Sequence, residues 1–297
     1  MATTRVRTHS LTSLQFVPRT LSLQVLPEID ILGFELQTFG LMLALALVSS
    51  GVLVARRLKE IGLPVDWVYE MMFCAGAGGI AGAKLWYVVE KGDVGSLLSG
   101  TGLVFYGGAI GGALAVMAYA RYRGFLDYRL FDMGAPALAI GYAVGRLGCQ
   151  LAGDGDYGIP SDLPWAMAYP DGTVPTTDQV HPTPIYEFLV MGAVTIWLWR
   201  RRDRAIPGEQ IGWWALLAGI ERFLIEFIRR NDDIVGPFSL AQFVSVVMIV
   251  AGAWWLLRVR SRAAAQSSTN APSPRSSAPR KARAAAASSS RPTPTDL

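Results

Sequence analysis

The sequence predicts an all-α polytopic membrane protein with seven transmembrane helices, the N-terminus outside and the C-terminus cytoplasmic. Three observations predict it. Of 297 residues, 52% are hydrophobic and only 17% charged, whereas soluble domains carry about 25% charged residues. The apolar residues gather in runs near the roughly 20 that a helix needs to cross a bilayer. The segments between those runs alternate in charge along the chain.

Taken in order, residues 1–24 lack the apolar core of a cleavable signal peptide. Leu26 to Phe34 reads as a short interfacial segment with Glu28 and Asp30 toward water. Residues 1–34 thus form a tail and interfacial segment, and 35–258 form the membrane domain. The apolar runs place spans at 36–55, 66–89, 101–120, 130–151, 184–200, 211–229 and 238–257. The first loop carries Arg56, Arg57 and Lys59, and the second carries Glu90, Lys91 and Asp93. The third has Arg121, Arg123 and Arg129, whereas the fourth, 152–183, has several aspartates and no Lys or Arg. The fifth has Arg200, Arg201, Arg202 and Arg204, and the segment after the last span opens with Arg258, Arg260 and Arg262. That is one phase of the positive-inside rule. Arg229 and Arg230 fall on the outer side, against the rule, which points to a specific job. Residues 259–297 are Ala, Ser, Pro and Arg with almost no large apolar side chain, and read as a disordered, basic cytoplasmic tail.

Composition also excludes classes. A net charge of +4, with its excess in loops and tail, does not describe a nucleic-acid binder. Cys74 and Cys149 both lie within apolar runs, so neither a structural disulfide nor a cysteine metal site is expected. Glycines stand four apart in the spans: Gly78 and Gly82, Gly107 and Gly111, Gly108 and Gly112, Gly141 and Gly145. This spacing lets helices approach closely. At Gly107 and Gly108 the missing side chains also leave a gap that a lipid headgroup can use.

The chemistry-bearing residues are charges at bilayer depth. Arg146 sits in Gly145-Arg146-Leu147-Gly148, near the outer end of the fourth span, among small residues that suggest a tight, buried neighbourhood. A guanidinium cannot shed its proton, so an intramembrane Arg is a functional candidate by default. Arg222, Glu226 and Arg229 stand at i, i+4 and i+7 of the sixth span and share one helical face. They either pair among themselves or have Glu226 orienting the arginines toward a bound phosphate, which planar guanidinium grips bidentately. Two such cationic clusters suggest a protein that handles an anionic group, with phospholipid phosphate the obvious candidate. His181, Tyr186 and Glu187 open the fifth span. His181 is either an interfacial surface residue or an acid–base group. Glu187, just inside the membrane, needs a partner, and Arg146 and Arg222 are candidates. Lys84 either snorkels to the interface or serves the site. Asp154 and Asp156 form an Asp-x-Asp pair in a glycine-rich loop, read as turn chemistry rather than a metal site. Trp165 to Thr173 reads as a small hairpin around an Asp-Gly turn.

These stretches together resemble the phosphatidylglycerol–prolipoprotein diacylglyceryl transferase family, over about residues 25–257. The resemblance rests on Gly-Arg-x-Gly at 145–148 followed by Gly153 and an acidic residue, His-Pro-x-x-x-Tyr-Glu at 181–187, Arg-Phe-x-x-Glu-x-x-Arg at 222–229, and Tyr-Gly-Gly at 106–108. It departs from the family pattern at Cys149 and Ala152, where Asn is usual, and at Gln150, where Phe is usual. It departs also at Tyr106, often His, at Lys84, where an Arg is frequent, and at Asp154, usually Glu, with one extra residue before the next Gly.

The resemblance implies a bacterial inner-membrane enzyme, with its site toward the periplasm. It would transfer diacylglycerol from phosphatidylglycerol to the lipobox cysteine of a prolipoprotein, without metal or cofactor. It implies catalytic roles among Arg146, Arg222, Glu226, His181 and Tyr106, the base being His181, Glu187 or Tyr106. It implies substrate contacts at Arg146, Arg222, Arg229, Gly107, Gly108, Gly145, Gly148, Asp154, Tyr186 and Glu187. The alternatives are a phospholipid-binding transporter, a paralogue with a different acceptor, or a membrane scaffold. A scaffold leaves the buried charges unexplained, and no inverted repeat favours a transporter.

Overall fold

The computed structural model describes residues 25–31, 34–92, 94–95, 104–230 and 238–269. Among the described residues, seven α-helices carry the fold: α1 (Thr38–Glu60), α2 (Trp67–Lys91), α3 (Phe105–Tyr122), α4 (Tyr128–Ala152), α5 (Thr183–Arg201), α6 (Glu209–Ile225) and α7 (Leu240–Thr269). Two hairpins accompany them: β1 (Glu28–Ile31) with β2 (Phe34–Gln37), and β3 (Met167–Tyr169) with β4 (Thr176–Val180), both antiparallel. Among the described residues, α1, α2 and α7 are long and apolar enough to cross a membrane by length and composition.

Helix α1 packs along α4, α2 along α3, α4 along α5 and α6 along α7. The α2–α3 contact is made by glycine. A Cβ at Gly82 or Gly107 would meet the backbone carbonyl of the other, so the helices touch backbone to backbone. The gap expected at Gly107 and Gly108 is therefore filled by α2: Gly107 faces Gly82 and Trp86, and Gly108 lies against the Gly79 carbonyl.

The central apolar seam joins α4, α5 and α6. Ala135, Ala139 and Ala143 repeat every four residues along α4 and pack against Met191, Val194 and Leu198 of α5. From α6, Trp214, Leu217 and Ala218 close the seam. One end of this bundle is bound by ion pairs: Arg57 to Asp203 at 2.6 Å and Arg202 to Glu60 at 2.8 Å. Asp132 of α4 accepts hydrogen bonds from the amides of Gly208 (2.7 Å) and Gln210 (3.0 Å), satisfying donors at the start of α6. The candidate site occupies the opposite end.

Three expectations need correction. The segment at 26–34 forms a strand pair, with Glu28 opposite Gln37. The Leu26 amide bonds the Leu151 carbonyl at 2.9 Å, tying this hairpin to the end of α4. Glu28 and Asp30 are exposed, as expected. The sixth helix ends at Ile225, and Glu226–Ile228 forms one 3-10 turn. Arg229 is extended and pairs with Gly158, so backbone pairing with the outer loop ends the helix early. Lastly, α7 runs past the boundary expected at 258 through Thr269. Its Arg- and Ala-rich extension has high helix propensity and needs no buried face to continue the helix. The remainder of that tail, and residues 1–24, lie outside the described residues.

Candidate active site

Helix α4 delivers Arg146 to the end of the seam and stops seven residues later at Gly153, whose φ of 58° is a left-handed turn that glycine adopts without strain. The chain then doubles back. Residues 157–160 run between the start of α5 and the end of α6. The Gly158 amide bonds the His181 carbonyl at 2.8 Å, and the Ile159 amide bonds the Ile228 carbonyl at 2.9 Å. The expected hairpin, β3–β4, caps this loop. Tyr157 stacks on Tyr169 at 4.9 Å, over a small core with Val25, Met167 and Val180.

This folding brings three guanidiniums and three carboxylates together. Arg146 pairs with Glu187 through Nε at 2.9 Å and with Asp156 through Nη1. Arg229 pairs with the other Asp156 oxygen and lies 3.5 Å from Glu187. Arg222 reaches Glu187 at 3.5 Å and Glu226 at 2.7 Å. Glu187 is the hub: its side chain is 0% exposed, all three arginines face it, and the Tyr142 hydroxyl donates to it at 3.0 Å. The Ser239 hydroxyl donates to Glu226 at 2.5 Å, so the residue just before α7 holds the group that holds Arg222. The Arg146 guanidinium also lies 4.9 Å from the Tyr142 ring centroid, a cation–π contact.

The three guanidiniums are matched in number by three carboxylates. The Arg146 and Arg222 side chains nevertheless keep 16% and 20% of their surface exposed, whereas Arg229 keeps 6%. Two cations thus present an open edge and the third is internal. On α4, no atom of the described residues outside the local helix lies within 4 Å of where a Cβ at Gly145 would stand. The tight neighbourhood expected beside Arg146 holds at Gly148, where a Cβ would sit 3.0 Å from Met42, but not at Gly145. There the wall is open to a ligand.

Of the sequence-derived candidates, Arg146, Glu187, Arg222, Glu226 and Arg229 converge. Asp154 does not join the cage; its neighbour Asp156 bridges Arg146 and Arg229 instead. Asp154 accepts from the Asp156 amide at 3.2 Å, shaping the turn. Burial pushes the Asp156 carboxyl up, but Arg146 and Arg229 outweigh it and hold the group below its usual range. Asp154 is pushed up, by burial and then by Asp156. Cys149, Asp154 and Asp156 place ligand-type atoms within 4.8 Å of one another. Both Asp156 oxygens serve guanidiniums, and Arg146 Nη1 lies 3.8 Å from the Cys149 sulfur, a poor setting for a cation.

His181 and Tyr186 form a neighbouring group. The His181 Nδ1 lies 3.3 Å from the Tyr186 hydroxyl, which accepts from Trp165 Nε1 at 2.7 Å. Tyr106 sits on α3, edge-on to Phe105, and Gly107 and Gly108 serve the α2 contact. Sequence reasoning missed Tyr142, Asp156 as the bridge, and Glu221.

Comparison with known proteins agrees with this geometry. A family profile described as Prolipoprotein diacylglyceryl transferase matches residues 27–258. A phosphatidylglycerol–prolipoprotein diacylglyceryl transferase of Clostridium tetani is 29% identical over 234 residues, covering 75% of this chain and 93% of that protein. Proteins of the same name from Pseudomonas putida F1 and Pseudomonas fluorescens Pf-5 are each 30% identical, covering 77% and 82% of this chain and 94% and 98% of their own. With most of its length matched and the arginine motifs folded into one cage, the chain belongs to the prolipoprotein diacylglyceryl transferase family.

Proposed function

We propose that this protein transfers diacylglycerol from phosphatidylglycerol to the cysteine thiol of a prolipoprotein lipobox, forming a thioether and releasing glycerol phosphate. The observation that carries this reading is the three-arginine cage with two partly open guanidiniums beside an open stretch of α4. The thiolate sulfur attacks the glycerol carbon bonded to phosphate oxygen. The C–O bond breaks, and its electron pair leaves on the phosphate. Arg146 and Arg222 hold the phosphate and stabilise the charge that develops there. Glu226 holds Arg222, and Asp156 holds Arg146 against Arg229. Arg229, being internal, organises the cage rather than drawing in the headgroup. Asp154, Tyr186 and His181 line the approach from the outer loop.

In this reading all seven helices span the bacterial inner membrane, the N-terminus is outside, and the site opens toward the periplasm. Charge alternation between the loops supports that orientation. The test is a transfer assay with purified protein, labelled phosphatidylglycerol and a lipobox peptide, scored by product mass. A diacylglyceryl thioether on the peptide cysteine is expected. Lipid movement between leaflets without thioether would favour the transporter instead.

A further inference from the structure

The cage leaves one acid out. Glu221, next to Arg222 on α6, is 8% exposed, and neither of its carboxylate oxygens has a hydrogen-bond partner among the described residues. It lies three, four and seven residues beyond Ala218, Leu217 and Trp214, all of which pack into the seam with α4 and α5. Glu221 therefore continues that inward face one turn further, to where the seam ends beneath the arginines. Its carboxyl interacts electrostatically with Glu187, Arg146, Arg222 and Arg229, and Tyr142 interacts with it in turn. These are the charged and titratable groups around it: Tyr142 and Arg146 from α4, Glu187 from α5, Arg222 beside it, and Arg229. Residues 240–257 of α7 contain no titratable residue, and Arg260 pairs with Glu209 at the far end of α6.

A base needs a free lone pair. Glu187 spends its oxygens on three guanidiniums and the Tyr142 hydroxyl. Glu226 serves Arg222 and Ser239, and Asp156 serves Arg146 and Arg229. His181 turns Nδ1 to Tyr186, outside the cage. Burying an unpaired carboxyl is costly, so its retention beside a charge-balanced cage calls for a purpose.

On the transfer reading above, we propose that Glu221 is a catalytic residue that takes the proton from the acceptor thiol. The S–H bond breaks and its proton passes to the Glu221 carboxylate. The freed sulfur pair forms the S–C bond as the C–O bond to phosphate breaks, and that pair leaves on glycerol phosphate. The proton returns to water when products depart. On this proposal the thiol enters beside Gly145, one turn beyond Tyr142 on α4, where no described atom outside the local helix lies within 4 Å of a Cβ position.

The test compares wild type, Glu221→Gln and Glu221→Asp in the transfer assay, from mildly acid to mildly alkaline pH, with melting temperature as the fold control. Removing a base costs about 100-fold or more at neutral pH. The Gln variant must then rely on preformed thiolate, so its rate should climb about tenfold per pH unit all the way to the thiol pKa, whereas wild type levels off once Glu221 is ionised. Phosphatidylglycerol binding to Glu221→Gln, in vesicles of that lipid, should match wild type. The Asp variant should keep the wild-type profile at a lower rate. Should Gln disrupt the fold, Asp carries the test alone, and an Asp profile that keeps climbing toward the thiol pKa after the wild-type profile has levelled contradicts the proposal. A Gln variant with wild-type rate, or a lowered rate with an unchanged pH profile, overturns it. If wild type itself yields no thioether, the transfer reading fails instead.

Discussion

Glu187 is the side chain on which the site depends most. Three arginines face one fully buried carboxylate, and removing it leaves like charges facing each other at low dielectric. Glu187→Gln should unfold or inactivate the protein, seen as lost thermal stability in detergent. Asp156 is more exposed, at 30%, so Asp156→Asn should cost less, about 1–3 kcal/mol, and loosen Arg146. The pH dependence follows in sign. Asp156 is held below its usual range, so its contribution is complete above about pH 4 and is lost as pH falls through its folded value. Asp156→Asn should remove that acid-side loss, measured by melting against pH. Arg146, Arg222 and Glu187 were legible as charges that an apolar stretch cannot hold without purpose. Asp156 was not: Asp154 and Asp156 are equivalent in sequence, and the left-handed turn at Gly153 decides which one faces the arginines. Glu221 was not singled out either, because its lack of a partner is a fact of three dimensions.

Helices were the most readable elements, because apolar runs of bilayer length have few other uses. Their ends were less so, since local pairing decides them. The sixth stops where Gly158 takes Arg229 into a bridge, and the seventh continues because Ala and Arg favour helix. The β3–β4 hairpin was foreseen from its Asp-Gly turn. The first hairpin lacked such a signal. Glycine spacing identified close-packed helices without saying which glycines face a neighbour. The structure separates them, and the difference is measurable. Gly107→Val drives a side chain into the Gly82 carbonyl and Trp86, and should destabilise the protein by about 1–3 kcal/mol or more. Gly145→Ala meets nothing, so its melting temperature should match or exceed wild type. Any loss of transfer in Gly145→Ala would then report obstruction of substrate.

The molecule has two poles, separated by helices of about 30 Å. One is an ion-paired rim of Arg57, Glu60, Arg202 and Asp203, and the other is the arginine cage beneath the outer loop. The proposed orientation predicts that, with Cys74 and Cys149 replaced by Ala, a cysteine at Asp171 labels from outside intact spheroplasts. One at Arg204 should label only after lysis, and the reverse pattern contradicts the topology. The cage can do its work only if the protein holds an anionic headgroup at that outer pole. Single-turnover transfer by Arg146→Ala, beside wild type of equal melting temperature, tests this most directly. A loss of at least about 100-fold is expected, as for other preorganised donors. Near-normal turnover in that folded variant would contradict it.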